Sequence, residues 1–120
     1  MLSAVERKIE QFIADLNDKE VSGLYALLPD GKRLRAKLIL KIAGSNLSVV
    51  KTAAIVEMIH AASLLHDDVI DDAYTRRSKP SLNALYGNKT AIMLGDILYS
   101  KGFLELNNIS PDVAKMISNA

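Results

Sequence analysis

Hydrophobic residues recur every three or four positions along most of this chain, which is the spacing of α-helices with one buried face. Ser3 and Glu6 form a capping box, and the apolar residues that follow predict an amphipathic helix over residues 4–16. Residues 17–22 are polar and are predicted to end it, whereas residues 23–28 are predicted to add a short helical turn. No segment alternates apolar and polar residues, so no β-strand is predicted.

A second helix is predicted after a turn at residues 29–31, starting near Lys32 or Arg33 and ending at Gly44. Its apolar ridge consists of Leu34, Leu38 and Ile42. One row of basic residues consists of Arg33, Lys37 and Lys41, and the other of Lys32 and Arg35. We interpret the row that begins with Arg33 as a solvated face. For Lys32 and Arg35, spacing alone leaves a solvated face and a binding role open.

The remaining apolar segments complete an all-α helical bundle. Further helices are predicted, in order, over residues 48 to about 73, over 81–86, over 90 to about 106, and from Ser110 and Pro111 onward. A loop over residues 74–80 separates the first two of these. The helix over 90–106 is apolar on nearly all sides, so it is predicted to be buried in a core or in an interface.

The bulk composition excludes several classes of protein. Hydrophobic residues make up 49% of the 120 residues and the net charge is +1, so neither disorder nor binding to nucleic acid is predicted. The absence of cysteine excludes thiolate metal sites and is compatible with a cytoplasmic location. No signal peptide is predicted, and no membrane span is predicted because Glu57 and His60 interrupt the longest apolar stretch.

Candidate chemistry is concentrated in residues 66–77. Four carboxylates and then two arginines occur there: Asp67, Asp68, Asp71 and Asp72, followed by Arg76 and Arg77. So many like charges at the end of an apolar helix are unfavourable without a cation, and carboxylate oxygens suit magnesium or calcium. The arginines suggest a phosphate or diphosphate ligand. A solvated surface is the alternative, but the approach over residues 61–65 is too apolar for a surface helix.

Helical geometry aligns these groups. Because a helix turns by about 100° per residue, Asp67 and Asp71 lie within about 40° of each other. His60 lies about 20° from the direction of Asp67 and roughly 10 Å along the axis, with Ser63 between them and Glu57 on the flank. This polar stripe on an apolar helix predicts the wall of a cavity.

Three segments together resemble motifs of the trans-isoprenyl diphosphate synthase family. They are Asp67-Asp68-Val69-Ile70-Asp71 with Arg76-Arg77, Gly31-Lys32-Arg33-Leu34-Arg35, and the AxxxGD helix that begins at Ala91. The family joins isopentenyl diphosphate head to tail with an allylic diphosphate, in a magnesium-dependent reaction of isoprenoid biosynthesis. The resemblance implies a prenyltransferase with an all-α isoprenoid-synthase fold.

The resemblance also implies residue roles. The carboxylates would hold Mg²⁺ through Asp67 and Asp71, with Asp68 assisting. The basic residues would bind diphosphates, the allylic one through Arg76 and isopentenyl diphosphate through Lys32, Arg35, His60 and Arg77. Ala62 and Ser63 are small where short-chain relatives carry bulky aromatics, which implies an open chain-length pocket and medium or long polyprenyl products. His66 points about 100° away from Asp67 and is interpreted as structural.

The family's chains are more than twice as long, and their second aspartate-rich motif has no counterpart after residue 72. We therefore expect residues 1–120 to be an N-terminal half that is inactive alone and forms homo-oligomers. A non-catalytic subunit or scaffold of a partner prenyltransferase is the alternative. A metal phosphohydrolase of the HD type, suggested by His66-Asp67, is disfavoured because His60 is the only other histidine.

Overall fold

Helix α4 (Leu47–Ile70) forms the centre of the fold, and the other long helices pack around it. The computed structural model describes residues 2–28, 31–44, 46–76 and 78–109. Asn46 caps α4, since its side-chain oxygen accepts the Val49 N–H at 3.0 Å. Ile55 and Met58 are fully buried along it, and burial of each such side chain contributes about 1.5–3 kcal/mol.

The described residues form six helices and one small hairpin. Besides α4, they are α1 (Leu2–Ala14), α2 (Lys19–Ala26), α3 (Leu34–Ala43), α5 (Leu82–Tyr86) and α6 (Asn88–Ile109), with β1 (Thr75–Arg76) and β2 (Lys79–Pro80) before α5. The two strands are antiparallel, with Thr75 opposite Pro80 and Arg76 opposite Lys79. α1, α3 and α6 all pack against α4, so the predicted all-α class is confirmed.

Several predicted boundaries were wrong for local reasons. α2 begins at Lys19 rather than at residue 23 because Asp18 accepts the N–H groups of Glu20 and Val21, at 2.9 and 3.2 Å. The loop over 74–80 contains the hairpin, and α4 ends at Ile70 instead of residue 73. The helix predicted from Ser110 and Pro111 lies outside the described residues, as do Pro29 and Asp30 of the predicted turn.

α3 packs differently from its sequence pattern. Its apolar ridge is largely exposed, with Leu34 at 61%, Leu38 at 58% and Ile42 at 77% of full exposure. The interpretation of Arg33 as solvated was wrong, since only 15% of its side chain is exposed and it pairs with Glu6. The other members of that basic row, Lys37 and Lys41, are exposed as predicted.

Gly95 explains how closely α4 and α6 approach each other. A Cβ added there would lie 2.5 Å from Nε2 of His66 and 3.4 Å from the carbonyl oxygen of Ala62. Leu94 and Leu98 beside it are fully buried, whereas Ile92 on the same helix is 41% exposed. Within this chain α6 is therefore buried on one face, as predicted for a core helix, and burial of its other face in an interface stays a prediction.

Among the described residues, α4 is the one helix long and apolar enough to cross a membrane, judged by length and composition. A helix at the centre of a bundle meets the same criteria. Here α4 buries two carboxylates, Glu57 and Asp68, and both have partners on neighbouring segments.

Candidate functional site

A cavity of about 100 Å³ lies where the start of α3 and the segment before it, the C-terminal half of α4 and the start of α5 meet. Four of the predicted substrate-binding residues line it: Lys32, Arg35, His60 and Arg76. Arg33 and two carboxylates, Glu57 and Asp68, complete its charged wall. The structure therefore brings together residues that are up to 44 positions apart in the sequence (Lys32 to Arg76). Arg77 lies outside the described residues.

Asp68 anchors Arg76 in this cavity. Nε of Arg76 donates to both carboxylate oxygens of Asp68, at 3.1 and 3.0 Å, and Nη2 donates to Oδ1 as well. These hydrogen bonds raise the pKa of Arg76 above its ordinary value, against the opposing effect of burial. Asp68 is buried while a third of the Arg76 side chain is exposed, so the pair fixes the arginine and leaves it able to meet a ligand.

Asp67 and Asp71 are both exposed at the end of α4. The Asp71 N–H donates to the Asp67 carbonyl at 2.8 Å, so helical geometry continues to Asp71 and keeps the two residues on one face. Asp72 then has a φ of 54°, and the chain leaves the helix. The structure thus retains the alignment of Asp67 with Asp71 that the spacing predicted.

α5 supports this end of α4. The Ser81 hydroxyl donates to the Ala73 carbonyl at 2.7 Å, and Nδ2 of Asn83 donates to the same carbonyl at 3.0 Å. Nδ2 of Asn83 also lies 3.4 Å from the Asp68 carbonyl, which accepts the Ala73 N–H at 2.9 Å. The carbonyls at a helix C-terminus need such donors, and here they fix the turn that follows the aspartates.

The residues present fit a hard divalent cation. Two exposed carboxylates on one helix face supply oxygen ligands, and magnesium in proteins keeps several water or phosphate ligands besides one or two carboxylates. No group of three or more acidic or histidine side chains suited to a metal occurs in the described part of the chain. His60 lines the cavity whereas His66 lies against α6, so the HD-type arrangement finds no support there.

Burial lowers the pKa of His60 below its ordinary value, and the Arg35 charge lowers it further. The charges of Arg76 and Arg33 also lower the pKa of His60, whereas the charge of Glu57 raises it. His60 is therefore a neutral hydrogen-bonding group in a basic cavity at neutral pH. Beneath it, the Ser63 hydroxyl donates to the His60 carbonyl at 2.6 Å.

Sequence reasoning missed the roles of Glu57 and Arg33. Oε1 of Glu57 accepts the Ala36 N–H at 2.9 Å, and its other oxygen lies 3.8 Å from Nη1 of Arg33. Burial lowers the pKa of Arg33, but its hydrogen bond to Glu6 and the charges of Tyr25, Glu6 and Glu57 raise it beyond the ordinary value. One signal existed, because Glu57 is the only acidic residue between positions 48 and 65.

His66 and the two chain-length residues lie away from the cavity. Nε2 of His66 is 3.2 Å from Oδ1 of Asp96, and its ring is 5.4 Å from that of Tyr99, which agrees with a structural role. Ala62 is fully buried beside α6, and neither it nor Ser63 lines the cavity. The apolar wall on α4 consists of Ala61, Leu64 and Leu65. The assignment of Ala62 and Ser63 to a chain-length pocket stays a prediction.

The chain is thus a helical bundle in which a cavity lined by basic side chains lies near two carboxylates that share one helix face. Residues 20–120 match the family model described as polyprenyl synthetase, and the chain belongs to that family. The resemblance inferred from the three sequence motifs is thereby confirmed.

Named relatives agree with this assignment. The decaprenyl-diphosphate synthase of Dictyostelium discoideum is 47% identical over 96 residues, which cover 75% of this chain and 21% of that protein. The octaprenyl pyrophosphate synthase of Helicobacter pylori superposes with a TM-score of 0.92 at 41% identity, covering 98% of this chain and 41% of that one.

A polyprenyl synthase of Caulobacter crescentus, crystallised with calcium and isoprenyl diphosphate, superposes with a TM-score of 0.79 at 32% identity. The match covers 89% of this chain and 34% of that one. The chain thus spans less than half the length of each of these three relatives.

Proposed function

We propose that this chain supplies the magnesium- and diphosphate-binding part of a polyprenyl diphosphate synthase. The whole enzyme would join isopentenyl diphosphate to an allylic diphosphate. One observation carries the proposal: Lys32, Arg35, His60 and Arg76 line a single cavity in a chain of the polyprenyl synthetase family. A cluster of basic side chains around one cavity is suited to a diphosphate, because the charges attract it and the donors match its oxygens.

The residues around the cavity would have separate roles in binding the two diphosphates and magnesium. Isopentenyl diphosphate would be held by Lys32, Arg35, His60 and Arg77. The allylic diphosphate would be contacted by Arg76, whose side chain Asp68 orients. Asp67 and Asp71 would hold Mg²⁺, with Asp68 acting mainly through Arg76. Bound magnesium supplies positive charge that stabilises the departing diphosphate. Ala61, Leu64 and Leu65 would provide an apolar wall beside the diphosphate-binding groups.

The proposal extends to product class and location. Relatives named octaprenyl and decaprenyl diphosphate synthases, together with small residues at Ala62 and Ser63, support a medium or long polyprenyl product. The cytoplasmic location stays a prediction from composition.

A binding test addresses the cavity directly. We expect the chain to bind inorganic pyrophosphate in calorimetry, and Arg35→Gln to weaken that binding about tenfold, as for loss of a charged hydrogen bond. Lys41→Gln is the matched control, because Lys41 is an exposed cation on the same helix. Equal affinities for the two variants and the unaltered chain would contradict the proposal.

An activity test requires the rest of the enzyme. The chain joined to the C-terminal part of the Helicobacter pylori relative should incorporate labelled isopentenyl diphosphate when magnesium and an allylic diphosphate are present. Asp67→Asn should reduce the rate about 10²- to 10³-fold, as for loss of one electrostatic contact to developing charge. Asp15→Asn, which alters an exposed carboxylate outside the site, should leave the rate unchanged.

A non-catalytic subunit or scaffold of a partner prenyltransferase is the second candidate. Such a subunit would bind a partner prenyltransferase without adding catalytic groups. Absence of isoprenyl transfer by the joined protein, with magnesium and an allylic diphosphate present, would favour this candidate.

A further inference from the structure

The buried carboxylate of Glu57 links α4 to the start of α3 and, through Arg33, to α1. Oε1 accepts the Ala36 N–H of α3 at 2.9 Å, and Oε2 faces Nη1 of Arg33 at 3.8 Å. Arg33 in turn donates to Glu6 of α1 through Nε and, at 3.2 Å, through Nη2. Only 3% of the Glu57 side chain is exposed, and a carboxylate so buried needs such partners. We call the contacts of Glu57 with Ala36 and Arg33, together with that of Arg33 with Glu6, the Glu57 clamp.

The clamp replaces an ordinary helix cap. Arg33 is the N-cap residue of α3, but it has a φ of 56° and makes no side-chain capping hydrogen bond. The free N–H groups at a helix start need an acceptor and favour a negative charge. Glu57 meets both needs from another helix, so the position of the α3 start is set by α4 rather than by its own sequence.

The position of the α3 start determines where two of the diphosphate-binding cations lie. Lys32 directly precedes the N-cap, and Arg35 lies in the first turn of α3, next to Ala36. His60 lies three residues after Glu57, one turn along α4. All three line the cavity. One stretch of α4 therefore carries His60 and, through the clamp, sets the positions of Lys32 and Arg35.

We propose that Glu57 is a positioning residue, which aligns Lys32 and Arg35 with His60 by fixing the start of α3 through Ala36 and Arg33. This inference rests on the proposed function, because it names what arranges the same cavity for a diphosphate. Glu57 does not contact the ligand in this role. Its effect on affinity arises from the geometry of the cations that do.

The experiment compares two substitutions of Glu57. Glu57→Gln keeps an oxygen that accepts the Ala36 N–H but removes the charge that faces Arg33, whereas Glu57→Leu removes both. Hydrogen exchange at the Ala36 amide, followed by NMR without ligand, reports the clamp itself. Calorimetry with inorganic pyrophosphate reports the cavity, and thermal unfolding reports stability. Glu105→Gln is the matched control, since Glu105 pairs with the buried Lys101 at 2.7 Å on α6, outside the cavity.

We expect Glu57→Leu to speed Ala36 exchange and to weaken pyrophosphate binding, each by about tenfold. Glu57→Gln should weaken binding about threefold with little change in exchange, and it carries the test if Glu57→Leu does not fold. A purely structural role would make affinity follow the melting temperature in all three variants. Instead, Glu105→Gln should lower the melting temperature and retain full affinity.

Two results would overturn the assignment while leaving the proposed function intact: unchanged pyrophosphate affinity in a folded Glu57 variant, or unchanged Ala36 exchange in Glu57→Leu. A failure of the unaltered chain to bind pyrophosphate would overturn the proposed function and the positioning role with it. Altered Ala36 exchange in that case would identify the clamp as a purely structural contact.

Discussion

His60 combines a lowered pKa with a place among the cavity's cations, so its titration reports the charges around it. We expect its NMR titration midpoint to lie below its ordinary pKa of 6.5. Arg35→Gln should raise the midpoint, because the Arg35 charge lowers the pKa, and Glu57→Gln should lower it further. Lys41→Gln, on the same helix as Arg35, is the control. A midpoint that does not respond to Arg35→Gln would contradict the cavity described here.

The same shift gives stability a pH dependence. The folded chain binds a proton at His60 less readily than the unfolded chain does, so the unfolded state takes up the proton first as pH falls. The His60 contribution is constant above pH 6.5, and it lowers stability from about pH 6.5 down to the folded pKa. Urea titrations should show this slope, and His60→Gln should reduce it.

Ala62 offers a test of product length. It is fully buried beside α6, so a phenylalanine there must displace neighbours, at about 1–3 kcal/mol in unfolding free energy. If the isoprenoid tail runs past this position, Ala62→Phe in the joined enzyme should also shorten the product. Ala91→Phe, which overcrowds a buried alanine of α6, is the control and should leave product length unchanged. Farnesyl diphosphate as the end product of the unaltered enzyme would refute the long-chain assignment.

At the scale of single residues, the sequence predicted which side chains share a face of one helix, because helical periodicity alone determines that. Asp67, Asp71 and His60 share a helix, and their mutual alignment follows from its pitch. Arg33 was misjudged because its partner Glu6 lies 27 positions away and on another helix. The bond from Ala36 to Glu57 spans 21 positions. Such pairings depend on tertiary packing, which spacing along one helix does not encode.

Among the elements, short α5 has a disproportionate role, because it holds the turn after the aspartates. Nδ2 of Asn83 donates to the Ala73 carbonyl at 3.0 Å, while its buried Oδ1 has no partner within the described residues. We expect Asn83→Ala to lower the free energy of unfolding by about 1 kcal/mol and to weaken magnesium binding at Asp67 and Asp71. Urea denaturation and magnesium titration measure the two effects.

The control for Asn83→Ala is Asn107→Ala, which changes an exposed asparagine of α6 and should alter neither quantity. Unchanged magnesium affinity in Asn83→Ala would show that α5 does not hold the aspartate turn in place.

Elements were predictable to different degrees. α4 and α6 are long and strongly apolar, so periodicity predicted them to within a few residues. The start of α2 was missed because Asp18 lies in a polar segment, which predicted a helix end. The structure shows that Asp18 instead caps the start of α2. The β1–β2 hairpin has two residues per strand, which is too short for any alternation to show. The exposed ridge of α3 shows that periodicity identifies an apolar face but not what covers it.

At the scale of the whole molecule, the proposed magnesium site has one aspartate-rich segment within these 120 residues. Asp67 and Asp71 are the aligned carboxylates, and no second aspartate-rich segment follows. We therefore expect the purified chain to bind pyrophosphate and yet to show isoprenyl transfer slower by orders of magnitude than the joined enzyme. One missing electrostatic contact alone typically costs about 3–4 kcal/mol. Robust transfer by the chain alone, measured with labelled isopentenyl diphosphate, would disprove this expectation.

The same 120 residues leave two apolar faces exposed. One is the α3 ridge of Leu34, Leu38 and Ile42, and the other is the outer side of α6 with Ile92, Met93 and Leu104. Contiguous apolar surface favours association at about 25 cal/mol per Å² removed from water. We therefore expect light scattering to give the mass of a dimer or a higher oligomer at micromolar concentration.

Substitution identifies which face associates. Replacing the three α6 residues by glutamine should shift the mass towards a monomer if that face forms the contact, and the matched triple replacement on α3 tests the other face. Both sets of side chains are exposed, so neither replacement removes a core contact, and the folded state should persist in both variants. A monomeric mass for the unaltered chain across the concentration range would show that these faces do not drive association, and that the exposed leucines are tolerated by a folded monomer.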